Sequence, residues 1–332
     1  MLEEMETRGG RRPRSVRSAL KSTIVAFSVV CSGGCAAAQL PGTTADAIAQ
    51  NSPKAWIRPD AAGRNLLYVT KTYLPNGGIY VYTYPSLKLV GMLGYGVGAR
   101  GECVDKSDNV FIVENPDGSE PAVYEYAHGG DTLIARISLP ISGQGCSVDP
   151  TSERLAVTSG STSFQVLMLD YTSKRGWHIP RAYSVPGMKY GAFCSFDDRG
   201  NLFVDGSADT QSFELAELLK GDHQFTTVSL NQSINGPGQV QSHDKYLSIG
   251  DTGSTVYEFT VTGSSATEVA STQLDGSSSI GQFWIQGKTL IGPSSEGTDI
   301  GLWPYPRGGN PKQTLNFSDA FGVVVSLSAH HH

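Results

Sequence analysis

The chain has 332 residues, 39% of them hydrophobic and only 17% charged, enough to bury a large core within one domain. Its 39 glycines and 17 prolines favour short strands and frequent turns over long helices. The net charge is −6; without residues 1–35, which carry six basic and three acidic residues, it is −9, a poor match for nucleic acid.

In chain order, the basic residues Arg8, Arg11, Arg12, Arg14, Arg17 and Lys21 precede the apolar run Thr23 to Cys31, which small residues follow. That order predicts an export signal over 1–38, its apolar run too short to span a bilayer. Two processing sites compete. Ser32-Gly33-Gly34-Cys35 resembles a bacterial lipoprotein box, with Cys35 as the lipidated residue, whereas Ala36-Ala37-Ala38 suits cleavage before Gln39. Residues 39–53 read as a flexible linker and 330–332 as a tail. The product is expected to be periplasmic, an outer-membrane lipoprotein or extracellular.

From residue 54 the chain repeats. RNLLYVT, DNVFIVE, ERLAVTS, GNLFVDG, KYLSIGD and KTLIGPS are turn-then-strand units whose first strand residues, Leu66, Val110, Leu155, Leu202, Tyr246 and Thr289, lie 44, 45, 47, 44 and 43 residues apart. The last five follow a short strand (GECVD, GCSVD, FCSFD, GQVQS, QFWIQ), and all six precede an aromatic-rich one such as GIYVYTY or TVYEFTV. A fourth strand follows in LKLVGML, TLIARIS, FTTVSLN and KQTLNF. This predicts an all-β, six-bladed propeller of four-stranded blades over 54–329. Blade 1 lacks its own inner strand unless KAWI (54–57) serves, so FGVVVSL (321–327) is expected to close the ring.

GECVDKSDNVFIVENPDGSEPAVYEY and YLSIGDTGSTVYEF resemble NHL-type repeats, and the chain is similar to uncharacterised bacterial exported propellers carrying FWIQG and NLFVDG strings. The resemblance implies a propeller scaffold and no chemistry. Related six-bladed lactonases hold a divalent cation in the channel, but their Ser-Pro-Asp-Gly string is missing here.

Inner-strand alternation places Val104, Val148, Phe196, Val240 and Phe283 on a face packed between blades. The other face carries Asp105, Asp149 and Asp197, which either hold Ca²⁺ or Mg²⁺ in the channel or cap the turns DKSDN, DPTSER and DDRGN. Glu102, Gln239, Gln241, Gln282 and Trp284 are candidates for a binding ring in the channel, and Asp205 for a rim loop in FVDGSADTQS. Cys103, Cys146 and Cys194 read as buried thiols rather than a bridge, because inner strands of neighbouring blades usually stand too far apart for a disulfide, although an oxidising compartment permits one bridge among the three. The aromatic pairs at period two (Tyr80/Tyr82, Tyr124/Tyr126, Tyr257/Phe259, Trp303/Tyr305) recur at one blade position and read as packing rather than as a sugar-stacking surface. No GxSxG, P-loop, GxGxxG or HExxH pattern occurs. These features point to a monomeric, non-catalytic binding or scaffold module for a protein, peptide or glycan; the alternative is a cation-dependent hydrolase or lyase, lactonase-like, at the channel mouth.

Overall fold

A computed structural model of the chain describes residues 55–72, 77–94, 98–116, 119–160, 164–209, 212–277, 280–294 and 298–328. The expected export signal with Cys35, and the expected linker and tail, lie outside them. The described chain forms six antiparallel blades around one axis, each running from an inner strand outwards. Blades 2, 3 and 4 are Ala99–Val104, Val110–Glu114, Ala122–Tyr126 and Leu133–Ser138; Gly143–Val148, Leu155–Ser159, Gln165–Thr172 and Gly176–Ser184; and Tyr190–Phe196, Leu202–Ser207, Glu214–Leu218 and Thr226–Thr227. Blades 5 and 6 are Pro237–His243, Tyr246–Asp251, Thr255–Thr262 and Ser265–Gln273; and Trp284–Gln286, Thr289–Pro293, Asp299–Pro304 and Gln313–Asn316.

Blade 1 is built from both parts of the chain. Its inner strand is the C-terminal Ala320–Ser326, paired with Leu66–Lys71 in a register that sets Leu66 against Ser326 and Val69 against Val323. Ile79, Tyr80 and their neighbours in Gly78–Thr83 come next, then Leu89–Leu93. Trp56–Ile57 adds a fifth, outermost strand against Gly91 and Met92, so KAWI lies at the periphery of the blade it was an alternative candidate to begin. FTTVSLN also departs from expectation: Thr226–Thr227 ends blade 4, while Ser229–Leu230 crosses to run parallel to the outer strand of blade 5.

Six apolar clusters fill the six spaces between adjacent blades. Each draws on the two blades it joins, as where Phe203 and Leu215 of blade 4 meet Val240 and Ile249 of blade 5. Successive strand residues point to opposite faces, so a strand in the middle of such a stack is apolar on both sides. This is why Val110–Glu114 and Leu155–Ser159 are buried throughout. The closing strand serves two interfaces at once: Val324 packs towards blade 2, and Val323 and Val325 towards blade 6.

Burying three valines contributes roughly 2 kcal/mol apiece, and the strand also supplies a full hydrogen-bond ladder; together these rival the 5–15 kcal/mol net stability of an ordinary domain. Removal of residues 320–328 is therefore expected to abolish cooperative unfolding by circular dichroism in urea. A truncated chain that melts like the full-length one would overturn the closure.

Candidate functional site

The inner strands crowd the axis. In blades 2 to 5 the pairing between inner and second strand slips, at Ala99/Glu102 in blade 2 and Gly191/Cys194 in blade 4 for example, and the same slip occurs in blade 1 at Thr70/Lys71. Such a bulge leaves a backbone N–H without a ladder partner. The second strand supplies one: Gly322 donates to Thr70 Oγ1 at 3.0 Å, Gly145 to Thr158 Oγ1 at 2.9 Å and Phe193 to Asp205 Oδ1 at 2.7 Å. At the bulges glycine is needed for close approach: a Cβ on Gly101 would lie 2.7 Å from the carbonyl oxygen of Gln144 and 2.8 Å from Cα of Gly145.

That approach corrects the reading of the cysteines. Cys103 and Cys146 form a disulfide between blades 2 and 3, their Cα atoms 5.7 Å apart. Ordinary blade spacing would forbid the bond, but the bulged strands meet near the axis at the separation it requires. Cys194 is a buried free thiol, and burial, with Asp205 nearby, pushes its pKa far up. The bridge is the bond of an oxidising, extracytoplasmic compartment.

At one end of the axis the channel is shut. Phe193 of blade 4 and Phe321 of blade 1, opposite members of the ring, approach with ring centroids 6.3 Å apart, and the Arg100 guanidinium lies 5.2 Å over Phe321. Gln282 of blade 6 reaches past blade 1 to blade 2, accepting from the Glu102 N–H at 3.0 Å and donating to its carbonyl at 2.5 Å. A cavity of about 140 Å³ is lined by Glu102, the disulfide, Cys194, Gln239, Gln241 and Trp284 among others, with half-buried Val104, Val148 and Trp284, next to the tight turns, in its wall.

Four of the five ring candidates, Glu102, Gln239, Gln241 and Trp284, thus share one cavity, and Gln282 ties its roof. Gln241 is structural, bonding the Ile285 N–H at 2.7 Å and the Ile285 carbonyl at 3.2 Å to join blades 5 and 6. Trp284 donates to Gln286 Oε1 at 3.2 Å. Glu102 stands apart. It is 1% exposed, and neither carboxylate oxygen has a hydrogen-bond partner. Burial pushes its pKa well above the usual carboxylate range, opposed in part by the Thr70 backbone, which lies near the carboxylate but outside hydrogen-bond geometry. Gln239 Oε1 is buried without a partner as well.

Asp105, Asp149 and Asp197, read as turn caps or cation ligands, each accept hydrogen bonds within their own turn. Asp105 accepts from the Ser107 and Asn109 N–H groups at 2.8 and 2.9 Å, and Asp197 accepts from those of Arg199 and Asn201 at 2.9 and 2.8 Å. Asp149 is held by Thr151 and Ser152; burial works against its charge, but these bonds and Lys220 keep its pKa below the ordinary value. Each carboxylate is occupied by its own turn, and among the described residues no three His, Cys, Asp or Glu side chains gather to hold a metal.

Asp205 is not in a rim loop. Its strand runs on through Ser207, the side chain is fully buried, and its remaining oxygen, Oδ2, has no partner. It occupies the place of Thr158 in blade 3, so aligning repeats by strand position reveals its bulge-filling role.

Two larger hollows lie between blades on the turn rim. One, of about 500 Å³ between blades 3 and 4, has Met168, Phe196 and Leu218 against Arg181, Lys220 and His223; the other, of about 610 Å³ between blades 4 and 5, has Asp198, Glu217 and Asp244 with Tyr246. Arg181 bonds the His223 ring at 2.6 Å and Lys220 bonds Thr151 at 2.8 Å, and neither forms an ion pair within 4.0 Å among the described residues.

Glu114, 5% exposed, has its pKa raised to about 8 by burial, which Arg136 only partly opposes. Because the unfolded chain releases this proton near pH 4.5, its contribution to stability is complete below that pH and is lost as pH rises towards 8; Glu102 and Asp205 act in the same direction. Glu114→Gln is expected to flatten the fall in urea midpoint between pH 5 and 8, and an unchanged slope would refute the assignment. Cleavage of the disulfide, which closes a loop of 43 residues, is expected to cost about 2–4 kcal/mol. Cys103→Ser should reproduce the effect of reductant on the urea midpoint, while Cys194→Ser should leave the sensitivity to reductant intact.

No family model matches the chain, and no curated protein matches it in sequence. Among solved structures, a chain in the crystal structure of a nidogen/laminin complex is similar to it, at a TM-score of 0.62 and 14% identity, covering 80% of this chain and 99% of that one. At that identity the likeness is one of fold, and the six-bladed propeller is what the two chains share.

Proposed function

We propose that this chain is an exported, non-catalytic binding or scaffold module that takes a protein, peptide or glycan partner on the turn rim of its propeller. The observation that carries the reading is the division between a ring tied together by cross-blade hydrogen bonds and a rim with open interblade hollows, where Arg181 and Lys220, in no ion pair among the described residues, and several acids stand beside apolar side chains. Binding residues collect where loops are held by rigid strands. The turn carboxylates that a cation-dependent hydrolase or lyase would use are engaged in holding those loops. The similar propeller comes from a structure of a protein complex, which fits the reading.

In this reading residues 1–38 direct export, Cys35 or Ala38 marks the processing site, 39–53 tether the ring, and 54–329 act as a monomer outside the cytoplasm. NHL-like repeats, degenerate in sequence, would account for the scaffold.

Chemical crosslinking of the mature protein in intact cells, then binding measurements with the purified partner, test the reading. Arg181→Glu with Lys220→Glu is expected to weaken binding at least tenfold once folding is verified. Unaltered binding by the double variant would remove the turn rim, and a bound metal lost in Asp149→Ala would restore the enzyme.

A further inference from the structure

Buried polar groups without partners are rare in folded proteins, and each calls for a ligand, a water or a functional reason. Among the described residues Glu102 is the only buried glutamate whose two carboxylate oxygens both lack one. In blades 3, 4 and 5 its place on the inner strand is taken by Cys146, Cys194 and Val240, each opposite the same point of the second strand (Val157, Val204 and Ile249, as Glu102 is opposite Ile112). Packing between blades therefore asks for a small apolar side chain here, and an acid is the costly choice. Gln282 fixes the Glu102 backbone from across the ring while leaving its carboxylate unused.

The surroundings narrow the ligand. Within the same cavity Gln239 offers a second unpartnered oxygen, and Trp284, half-buried, offers an indole ring. One carboxylate, one amide oxygen and an aromatic wall suit an ammonium group, which donates hydrogen bonds to oxygens and is drawn to an indole face. They suit Ca²⁺ or Mg²⁺ poorly, since those ions want six or more oxygens. The volume of about 140 Å³ holds roughly four or five waters, or the end of an aliphatic amine. The wall of disulfide, Cys194 and Phe196 accepts an alkyl stem, and the turns at the cavity mouth carry Asp105, Asp149 and Asp197, whose charge favours approach of a cation.

We propose that the axial cavity is a receptor site for a primary ammonium on an aliphatic stem, such as a lysine side chain presented by a partner, with Glu102 as its counter-ion and Trp284 as its aromatic wall. This rests on the reading of the chain as a binding module and names the chemistry of what it binds.

The test titrates n-butylammonium into the mature protein, following Trp284 emission against a Trp284→Phe control and heat in two buffers of different ionisation enthalpy. Saturable binding with proton release is expected, because an arriving cation draws the proton from the buried Glu102 carboxyl. Glu102→Gln, close in shape and uncharged, is expected to weaken binding at least tenfold and abolish the proton release while keeping the urea midpoint of a folded ring. Butanol and Ca²⁺ are expected to have no effect. Absence of saturable binding, equal binding by Glu102→Gln, or displacement by Ca²⁺ would each overturn the site. A capped Gly-Lys-Gly peptide that binds, and fails once its lysine is acetylated, places the amine on a partner chain; butylammonium binding without peptide binding keeps the site but moves the source to a free amine. Rim variants that lose the partner leave butylammonium binding intact, so failure of the rim reading and failure of this one are separable.

Discussion

The close approach of the inner strands at the axis is the constraint on which the rest of the molecule depends. Strands that converge there can meet only where side chains are absent or where one blade's side chain completes another blade's backbone. Glycine satisfies the first condition at Gly101, Gly145 and Gly322, and hydroxyls or amides satisfy the second: Thr158 donates to the Ala192 carbonyl at 2.7 Å, the Ser147 hydroxyl accepts from the Phe196 N–H at 2.9 Å, and Ser195 accepts from Ser242 at 2.9 Å. Each bond crosses from one blade to the next. A buried amide left unpaired costs more than a surface bond gains, so these contacts set the order and spacing of the blades rather than merely adding to stability.

Closure is the second consequence. An antiparallel blade has two edges, and an inner edge left open would expose unpaired backbone at the most crowded part of the fold. The chain resolves this by returning its last strand to its first blade. A latch on the turn rim secures the join: His128 of blade 2 contacts Ser326 Oγ at 2.5 Å and the Arg64 carbonyl at 3.0 Å, Ser326 donates to the Asp108 carbonyl at 2.8 Å, and Leu327 donates to the Asp108 carboxylate at 2.7 Å. Residues from both ends of the domain thus share partners with blade 2, and the ring is held from the side as well as through its own ladder.

What could be read from the sequence divides along the same line. The repeat was legible because a blade's second and third strands are defined locally, by period and by turn residues, and FGVVVSL stood out as a strand without a blade. The Asp residues at 105, 149 and 197 were legible as turn caps for the same reason, since the amides they bind lie within four positions. Contacts across the axis were not legible. The disulfide and the Gln282 bridge depend on how far the inner strands converge, and convergence follows from the bulges, which no residue type marks by itself. FVDGSADTQS has the composition of a polar loop, which hides that the Asp205 carboxylate fills the gap that Thr158 fills one blade earlier. FTTVSLN was read as one strand because alternation continues across it, although the chain changes blades at Val228, which is buried between them.

Seen this way, the two ends of the axis have different work. The end with Phe193, Phe321, Arg100 and Gln282 is spent on holding the ring together, since almost every group there bonds or packs against another blade. Towards the turn end the cross-blade bonds of Ser147, Ser195 and Gln241 line a cavity. A charge in the first region needs a partner on another blade, as Arg100 has in Phe321, and one placed on the outer rim would be solvated and cheap. Glu102 sits at the boundary, deep enough to be desolvated and next to the cavity, a position where its cost is recovered only if something enters to meet it. The retention of a carboxyl at a site where neighbouring blades use cysteine or valine is therefore better explained by the cavity than by the packing.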